Sequence, residues 1–140
     1  RMSDIGKGKL IHYFEDWCAV IDALEPCKNI MQNMMLLEYP RAAEAYTITT
    51  GITVTPEEIS TAGECITNIE RMFGVREGIT RKDDTLPSRF MKTPLREGES
   101  AGTVINLDLM LDEYYQARGW DLTTGHPTKE TLKRLGLDEA

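Results

Sequence analysis

A carboxylate and a thiol stand five residues apart where an apolar helical pattern breaks off, in the stretch VIDALEPCKN. They are Asp22 and Cys27, and Pro26 directly precedes the thiol. Because proline cannot continue a helix, Cys27 is expected just past a helix end, where it is accessible for metal ligation. One thiolate is not a metal site, since an iron–sulfur cluster needs several ligands, commonly four. The alternative is that Cys27 is a small buried hydrophobic residue, and the local sequence alone favours this alternative.

Asp22 lies in apolar surroundings, between Val20 and Leu24, and shares a helical face with Cys18. Burying a carboxylate there is costly unless hydrogen-bond donors reach it. Two interpretations remain open. Either a neighbour such as Lys28 or a backbone amide satisfies the carboxylate, or Asp22 accepts hydrogen bonds from the N–H groups of a bound heterocycle.

Other residues that could do chemistry carry weaker signals. Cys18 and Cys65 fall on apolar stripes and are predicted to be core residues. His12 and His126 have no second ligand three or four residues away, so neither predicts a metal site or a catalyst. The segment RKDD, residues 81–84, is predicted to neutralise its own charges in a turn. The sequence contains no nucleotide-phosphate loop, nucleophile elbow or zincin motif.

Composition restricts the class of protein. The chain has 140 residues, of which 41% are hydrophobic, and this predicts a single domain with a core over residues 1–140. A net charge of -7 argues against nucleic acid or an anionic membrane surface as partner. No apolar run approaches the ~20 residues that cross a bilayer, and the first residues lack the apolar centre of a signal peptide. Three cysteines without repeated spacing indicate a reducing compartment, so we expect a cytoplasmic protein.

Helical periodicity and helix-breaking residues predict where the helices lie. Apolar residues at three- and four-residue spacing predict a helix from Lys9 to about Leu24, which Pro26 ends. The Met-rich stretch IMQNMMLLE predicts a short buried helix. Pro40 and Gly51 fit the start and the stop of the next helix.

The clearest local signal is the stretch TPEE. Thr55 can cap a helix, Pro56 takes its first position, and Glu58 stands three residues after the cap. That helix is expected to end near residues 74–78. A segment of about 25 residues follows, rich in proline and glycine, and two further helices are predicted over 107–118 and 128–135. Alternating strand patterns are missing, so the predicted fold is all-α, with about five or six helices and a long ordered loop before the penultimate helix.

The order of these segments resembles the C-terminal portion of the tungsten-containing aldehyde:ferredoxin oxidoreductase family. The stretches that carry the resemblance include YFEDWCAVIDALEPCK, NIERMFGVREGITRKDDTLPSRF and LDEYYQARGWD, and it runs from about Lys9 to Leu137. The resemblance implies a helical domain that encloses cofactors together with an N-terminal β domain and a middle helical domain. The implied cofactors are a tungsten (or molybdenum) bis-pterin and a [4Fe–4S] cluster.

The resemblance also implies roles for the two residues at the helix break. In the family, three cluster cysteines lie in a CxxCxxxC run of the middle domain. The fourth lies in an Asp-x-x-Gly-Leu-Cys motif whose Asp hydrogen-bonds a pterin. By this resemblance, Cys27 is the fourth cluster ligand and Asp22 is the pterin acceptor. Glu25 and Pro26 stand where the motif has glycine and leucine, so the geometry or the potential of this half-site is expected to differ.

The implied enzyme oxidises an aldehyde to a carboxylic acid and passes electrons through the cluster to ferredoxin. This chain lacks most of that site, so we assign it no catalytic residue and expect the isolated chain to be inactive and to bind no cofactor alone. The alternative hypothesis is a free-standing helical module for assembly that has lost the redox site. If other domains normally cover Asp22, Cys27 and the Met-rich stretch, that surface is expected to be apolar and to favour homo-oligomers.

Overall fold

The computed structural model describes residues 3–27, 29 and 38–139, and the chain forms six α-helices within them. These are α1 (Lys7–Ala23), α2 (Tyr39–Thr50), α3 (Pro56–Arg76), α4 (Ser88–Lys92), α5 (Leu107–Arg118) and α6 (Lys129–Arg134). No strand occurs in these residues, so the predicted all-α class is confirmed. The helix predicted for the Met-rich stretch lies outside the described residues. None of the described helices is both long and apolar enough to cross a membrane.

Helix α3 begins at the capping box that the sequence predicts. The Thr55 hydroxyl accepts a hydrogen bond from the backbone N–H of Glu58 at 3.1 Å, and the Glu58 carboxylate accepts one from the N–H of Thr55 at 2.7 Å. Pro56 occupies the first helical position, where its missing N–H would have had no intrahelical acceptor. The reciprocal bonds thus satisfy two N–H groups that the helix start leaves unpaired.

Removing the cap should destabilise the chain measurably. We expect Thr55→Ala to lower the free energy of unfolding by about 1 kcal/mol, the usual cost of losing a helix cap. Thr61→Ala is the matched control, because the Thr61 hydroxyl donates to the Glu57 carbonyl within the same helix and caps nothing. Urea unfolding followed by circular dichroism measures both. Equal losses in the two variants would contradict the role of the capping box.

The described contacts divide the chain into two compact units, and one comprises Tyr13–Arg71 and Leu132–Ala140. Its apolar core draws on α1, α2 and α3: Val20, Ala42, Ala43 and Ile59. Trp17 and Ile21 on α1 are also buried. These residues recur at three- and four-residue spacing along α1, so one face of that helix is covered by the unit.

Helices α1 and α3 approach each other backbone to backbone at Gly63. A Cβ atom built on Gly63 would lie 2.3 Å from the carbonyl oxygen of Asp16. No side chain fits in that space without moving a backbone, so this position requires glycine. Thr67, one turn further along α3, donates a hydrogen bond to the Asp16 carboxylate at 3.0 Å. The pair of helices is therefore held by both packing and a polar contact.

The other unit comprises Arg1–His12 and Met72–Thr131, and its centre is a buried arginine. Arg118 is 0% exposed, as is Tyr115 beside it on α5. The Arg118 Nε donates to the Tyr114 hydroxyl at 3.1 Å, and a terminal guanidinium nitrogen donates to the His12 carbonyl at 3.3 Å. A buried guanidinium is tolerated only when acceptors meet its N–H groups, so this network fixes how α5 packs.

The start of α1 is tied to α5 by Glu113. Its carboxylate accepts hydrogen bonds from the backbone N–H of Gly6 at 2.8 and 2.9 Å and from that of Gly8 at 3.3 Å. The negative charge of this carboxylate also interacts favourably with the positive end of the dipole of α1. A Cβ atom on Gly8 would lie 2.4 Å from the Tyr114 backbone nitrogen, so glycine permits the contact.

The long segment between α3 and α5 is more regular than its sequence suggests. It contains α4, a five-residue helix that follows Pro87 and was not predicted. The Ile105 N–H donates to the Phe90 carbonyl at 3.1 Å, and the Gly102 N–H donates to the Leu95 carbonyl at 2.9 Å. The segment is therefore ordered by its own backbone hydrogen bonds.

Candidate functional site

The helix that carries Asp22 ends in a left-handed turn at Glu25. The Leu24 N–H still donates to the Val20 carbonyl at 3.0 Å, and the Glu25 N–H turns back to the Asp22 carbonyl at 3.3 Å. Glu25 has a φ of 57°, the one positive φ outside glycine in the described part of the chain. Pro26 follows and cannot continue the helix. A left-handed residue is a common way to end a helix, and glycine is the residue that adopts it without strain.

A side chain at position 25 is strained by this backbone conformation. In the left-handed region it lies closer to the backbone carbonyl than it would in a right-handed turn, which costs about 1 kcal/mol. Glycine, the residue that the resemblance noted in the sequence implies at this position, carries no such cost.

Substituting glycine for Glu25 should relieve this backbone strain. We expect Glu25→Gly to raise the free energy of unfolding by up to about 1 kcal/mol. The matched control is Glu97→Gly, because Glu97 is also an exposed glutamate in non-helical backbone but does not have a positive φ. In that variant the added freedom of the unfolded chain should lower stability instead. Urea unfolding of both variants measures whether the free energy of unfolding rises or falls. A loss of stability in Glu25→Gly would contradict the proposed strain at position 25.

Cys27 is an exposed cysteine in non-helical backbone, directly after this turn. Its sulfur is therefore accessible to a group outside the chain. The alternative that Cys27 is a small buried hydrophobic residue is wrong. Asp22 is also exposed and lies on the last turn of α1. The structure thus puts both residues at the surface near one helix end. Lys28, the partner considered for Asp22, lies outside the described residues.

Asp22 lines a cleft of about 500 Å³ between α1 and α3, which we call the Asp22 cleft. Its lining residues are Glu15, Cys18, Ala19, Asp22, Ala23, Ile66, Thr67 and Glu70. Three of them are carboxylates, and no basic side chain lines the cleft within the described residues. A ligand with several N–H donors suits such a surface, because carboxylates accept hydrogen bonds strongly.

Two carboxylates of this cleft, Glu15 and Glu70, were missed by the sequence analysis. The signal was present, since Glu15, Cys18 and Asp22 stand three and four residues apart and so share a helical face. Glu70 stands four residues after Ile66 on the facing helix. The sequence did not indicate that these two faces meet, because Gly63 is the contact that brings them together.

The described residues do not form a complete metal site. Among them, no group of three His, Cys, Asp or Glu side chains is placed to hold a metal ion. This includes His12 and His126, which the sequence presents as isolated. A metal cluster bound at Cys27 would therefore need ligands from outside the described part of this chain.

The segment at residues 81–84 has a structural role in its own unit. Arg81 pairs with Asp112 of α5 at 2.7 Å, and its guanidinium lies 5.1 Å from the centre of the Tyr115 ring. Asp84 accepts a hydrogen bond from the Tyr115 hydroxyl. These contacts tie the turn to α5, so they explain the charged residues without a ligand.

Cys65 lies in a different environment from the exposed Cys27. Cys65 is half-buried, and its sulfur lies 3.7 Å from the Leu135 carbonyl oxygen. Burial, and then the neighbouring Glu64 carboxylate, raise the pKa of the Cys65 thiol above its ordinary value. At neutral pH the thiolate fraction of Cys65 is therefore reduced, and access to it is limited.

This contrast predicts the order of alkylation. Treated with iodoacetamide at neutral pH, Cys27 should react fastest because it is exposed, and Cys65 slowest because of its raised pKa and burial. Raising the pH should narrow the gap, since Cys65 then ionises. Peptide mass spectrometry over a time course gives each rate. Faster labelling of Cys65 than of Cys27 would contradict the described environments.

Comparison with known proteins places these features in a wider context. A family model described as aldehyde ferredoxin oxidoreductase, domains 2 and 3, matches residues 1–137. The tungsten-containing aldehyde ferredoxin oxidoreductase of Pyrococcus horikoshii is 36% identical over 138 residues, and that of Pyrococcus furiosus is 35% identical over 134 residues. Each alignment covers 95% of this chain but only 21% and 22% of the relative. The chain thus spans about a fifth of the length of these curated relatives.

A solved structure shows the same fold. It is described as the active site complex BamBC of benzoyl coenzyme A reductase in complex with 1,5 dienoyl-CoA. The match has a TM-score of 0.75 and 26% identity, and it covers 94% of this chain and 19% of that one.

Proposed function

Because this chain belongs to the aldehyde ferredoxin oxidoreductase family, we propose that it supplies Asp22 and Cys27 to a redox cofactor site completed by polypeptide outside these residues. The relatives are about five times as long, so the remaining ligands and the N-terminal and middle domains would come from that polypeptide. The observation that carries the proposal is the exposed thiol of Cys27 immediately beyond the left-handed end of α1.

In this proposal, Cys27 is the fourth ligand of a [4Fe–4S] cluster. A ligand must project from its own chain toward a cluster held largely by another segment, and an exposed cysteine on a turn meets that requirement. Pro26 contributes no N–H to the site, so it cannot donate a hydrogen bond to the thiolate. Hydrogen bonds to cluster sulfurs and nearby charge help to set reduction potential. Both Pro26 and the Glu25 carboxylate therefore favour a lower potential than the glycine and leucine of the motif would give.

Asp22 would hold a pterin by accepting hydrogen bonds from ring N–H groups. The donor chemistry fits, since the Asp22 cleft presents carboxylate oxygens and the pterin ring presents N–H donors. Glu70 of α3 adds negative charge to the same cleft, which strengthens hydrogen bonds from neutral donors but repels anionic groups. We therefore expect a heterocyclic edge, and not a phosphate, to face this cleft.

The cofactors would supply the redox chemistry of the complete enzyme: aldehyde oxidation at tungsten and electron transfer through the cluster to ferredoxin. The part of this chain is to bind and orient them. The polar contact between Thr67 and Asp16 and the packing at Gly63 hold the two walls of the Asp22 cleft at a fixed separation. The side chain of Asp22 is thereby held by a rigid scaffold and not by a loop.

The ligand assignment can be tested in a chimaera. The homologous segment of the Pyrococcus horikoshii enzyme is replaced by this chain, and the protein is expressed anaerobically with and without Cys27→Ala. We expect Cys27→Ala to lose most of its roughly four iron atoms, because a cluster missing one of four ligands is labile. Iron analysis and electron paramagnetic resonance of the reduced protein measure the loss.

Cys65→Ala in the same chimaera is the matched control, since Cys65 lies away from the turn and contacts the Leu135 carbonyl. It should keep its iron. Equal iron content in Cys27→Ala and in the unmodified chimaera would end the assignment of Cys27. A chimaera that folds by circular dichroism but binds neither iron nor tungsten would instead favour a helical assembly module. Glu25 and Pro26 are the features that favour this alternative.

A further inference from the structure

A second cleft lies in the other unit, and its charge is opposite to that of the Asp22 cleft. It has a volume of about 600 Å³, within the range of small-molecule sites, and we call it the Arg89 cleft. Its walls come from the residues before and at the start of α1, from α4 and the segment after it, and from α5. All of these belong to one compact unit.

Basic side chains outnumber acidic ones in this cleft. Lys7, Arg89 and Arg96 line it, whereas Asp4 is its one carboxylate among the residues that the structure describes. The chain as a whole has 23 acidic and 16 basic residues, so this local balance reverses the average. Asp4 is already engaged, since its carboxylate accepts a hydrogen bond from the Asn106 N–H at 3.2 Å. The local field therefore attracts an anion.

These three cations have no carboxylate partner in the described part of the chain. Arg76, Arg81 and Arg134 each pair with a carboxylate there, but no ion pair within 4 Å involves Lys7, Arg89 or Arg96. The Arg89 guanidinium instead lies 4.8 Å from the centre of the Phe90 ring. Stacking of this kind holds a guanidinium in place while leaving its N–H edge free to donate to a carboxylate or phosphate.

The rest of the cleft is apolar. Phe90, Leu95 and Val104 remain between 42% and 57% exposed, although all three line it. Hydroxyl groups of Thr93 and Thr103 lie among them. The backbone bonds from Gly102 to Leu95 and from Ile105 to Phe90 hold this wall in shape. The cleft is thus preformed. It offers apolar surface beside cations that have no carboxylate partner among the described residues.

We propose that the Arg89 cleft binds a small amphipathic anion, a carboxylate or phosphate on an apolar body. The head group pairs with the guanidinium of Arg89, and with Lys7 and Arg96 around it. The apolar body covers the exposed side chains of Phe90, Leu95 and Val104. The site is separate from the cofactor site proposed above, because it shares no residue with the Asp22 cleft.

The test uses the full 140-residue chain, labelled with ¹⁵N, and three probes: 4-phenylbutyrate, hexyl phosphate and the neutral 4-phenylbutanamide. Amide shifts on titration locate the site and give the affinity. We expect the anions to shift the amides of residues 89–105 and the neutral amide to bind roughly fivefold more weakly, the scale of one exposed ion pair.

Two variants separate a specific site from general attraction. Arg89→Gln should weaken binding of both anions by roughly fivefold. Lys92→Gln is the matched control, since Lys92 is an exposed cation on the same short helix that does not line the cleft, and it should leave the affinity unchanged. The proposal would be overturned if the neutral amide bound as tightly as the anions, or if Arg89→Gln and Lys92→Gln weakened binding equally. Amide shifts confined to residues outside 89–105 would also overturn it.

Discussion

Two helices can meet backbone to backbone only where one of them has no side chain, and Gly63 provides that place for α1 and α3. The contact with the Asp16 carbonyl brings the faces carrying Glu15, Asp22 and Glu70 into one cleft. The same contact lets Thr67 reach the Asp16 carboxylate, so packing and hydrogen bonding reinforce each other. The shape of the Asp22 cleft depends on this separation between the two helices.

The two clefts divide the chemistry of the chain by sign of charge. The Asp22 cleft is lined by carboxylates and suits ligands that donate hydrogen bonds, whereas the Arg89 cleft is lined by cations and apolar groups. Each lies within its own compact unit. The net charge of -7 does not predict the charge of either cleft. The fold, and not the order of residues in the sequence, decides which charged side chains lie together.

Local signals in the sequence predicted most helix boundaries well. Thr55 and Glu58 form the predicted capping box. The helix predicted over 107–118 begins where the Asn106 side chain accepts a hydrogen bond from the Leu109 N–H, and it ends at Gly119, which has a φ of 67°. These predictions succeed because a cap or a stop involves residues within a few positions of each other.

Features that depend on distant contacts were not predictable in the same way. Ile69 and Phe73 continue the apolar periodicity of α3, yet they are 49% and 58% exposed, because periodicity does not say which turns of a helix are covered. Helix α4 is too short to show a period at all. For the candidate site, the sequence singled out Asp22 and Cys27 but not Glu15 and Glu70, which line the cleft together with Asp22.

The torsion angle at Glu25 has a consequence for how such sites are recognised. The main chain takes a left-handed angle here although the residue is not glycine. A glutamate codon becomes a glycine codon by a single base change, so the residue that adopts this angle without strain is one mutational step away. The residue type at this helix end therefore does not reveal the backbone geometry, which has to be read from the main-chain angles.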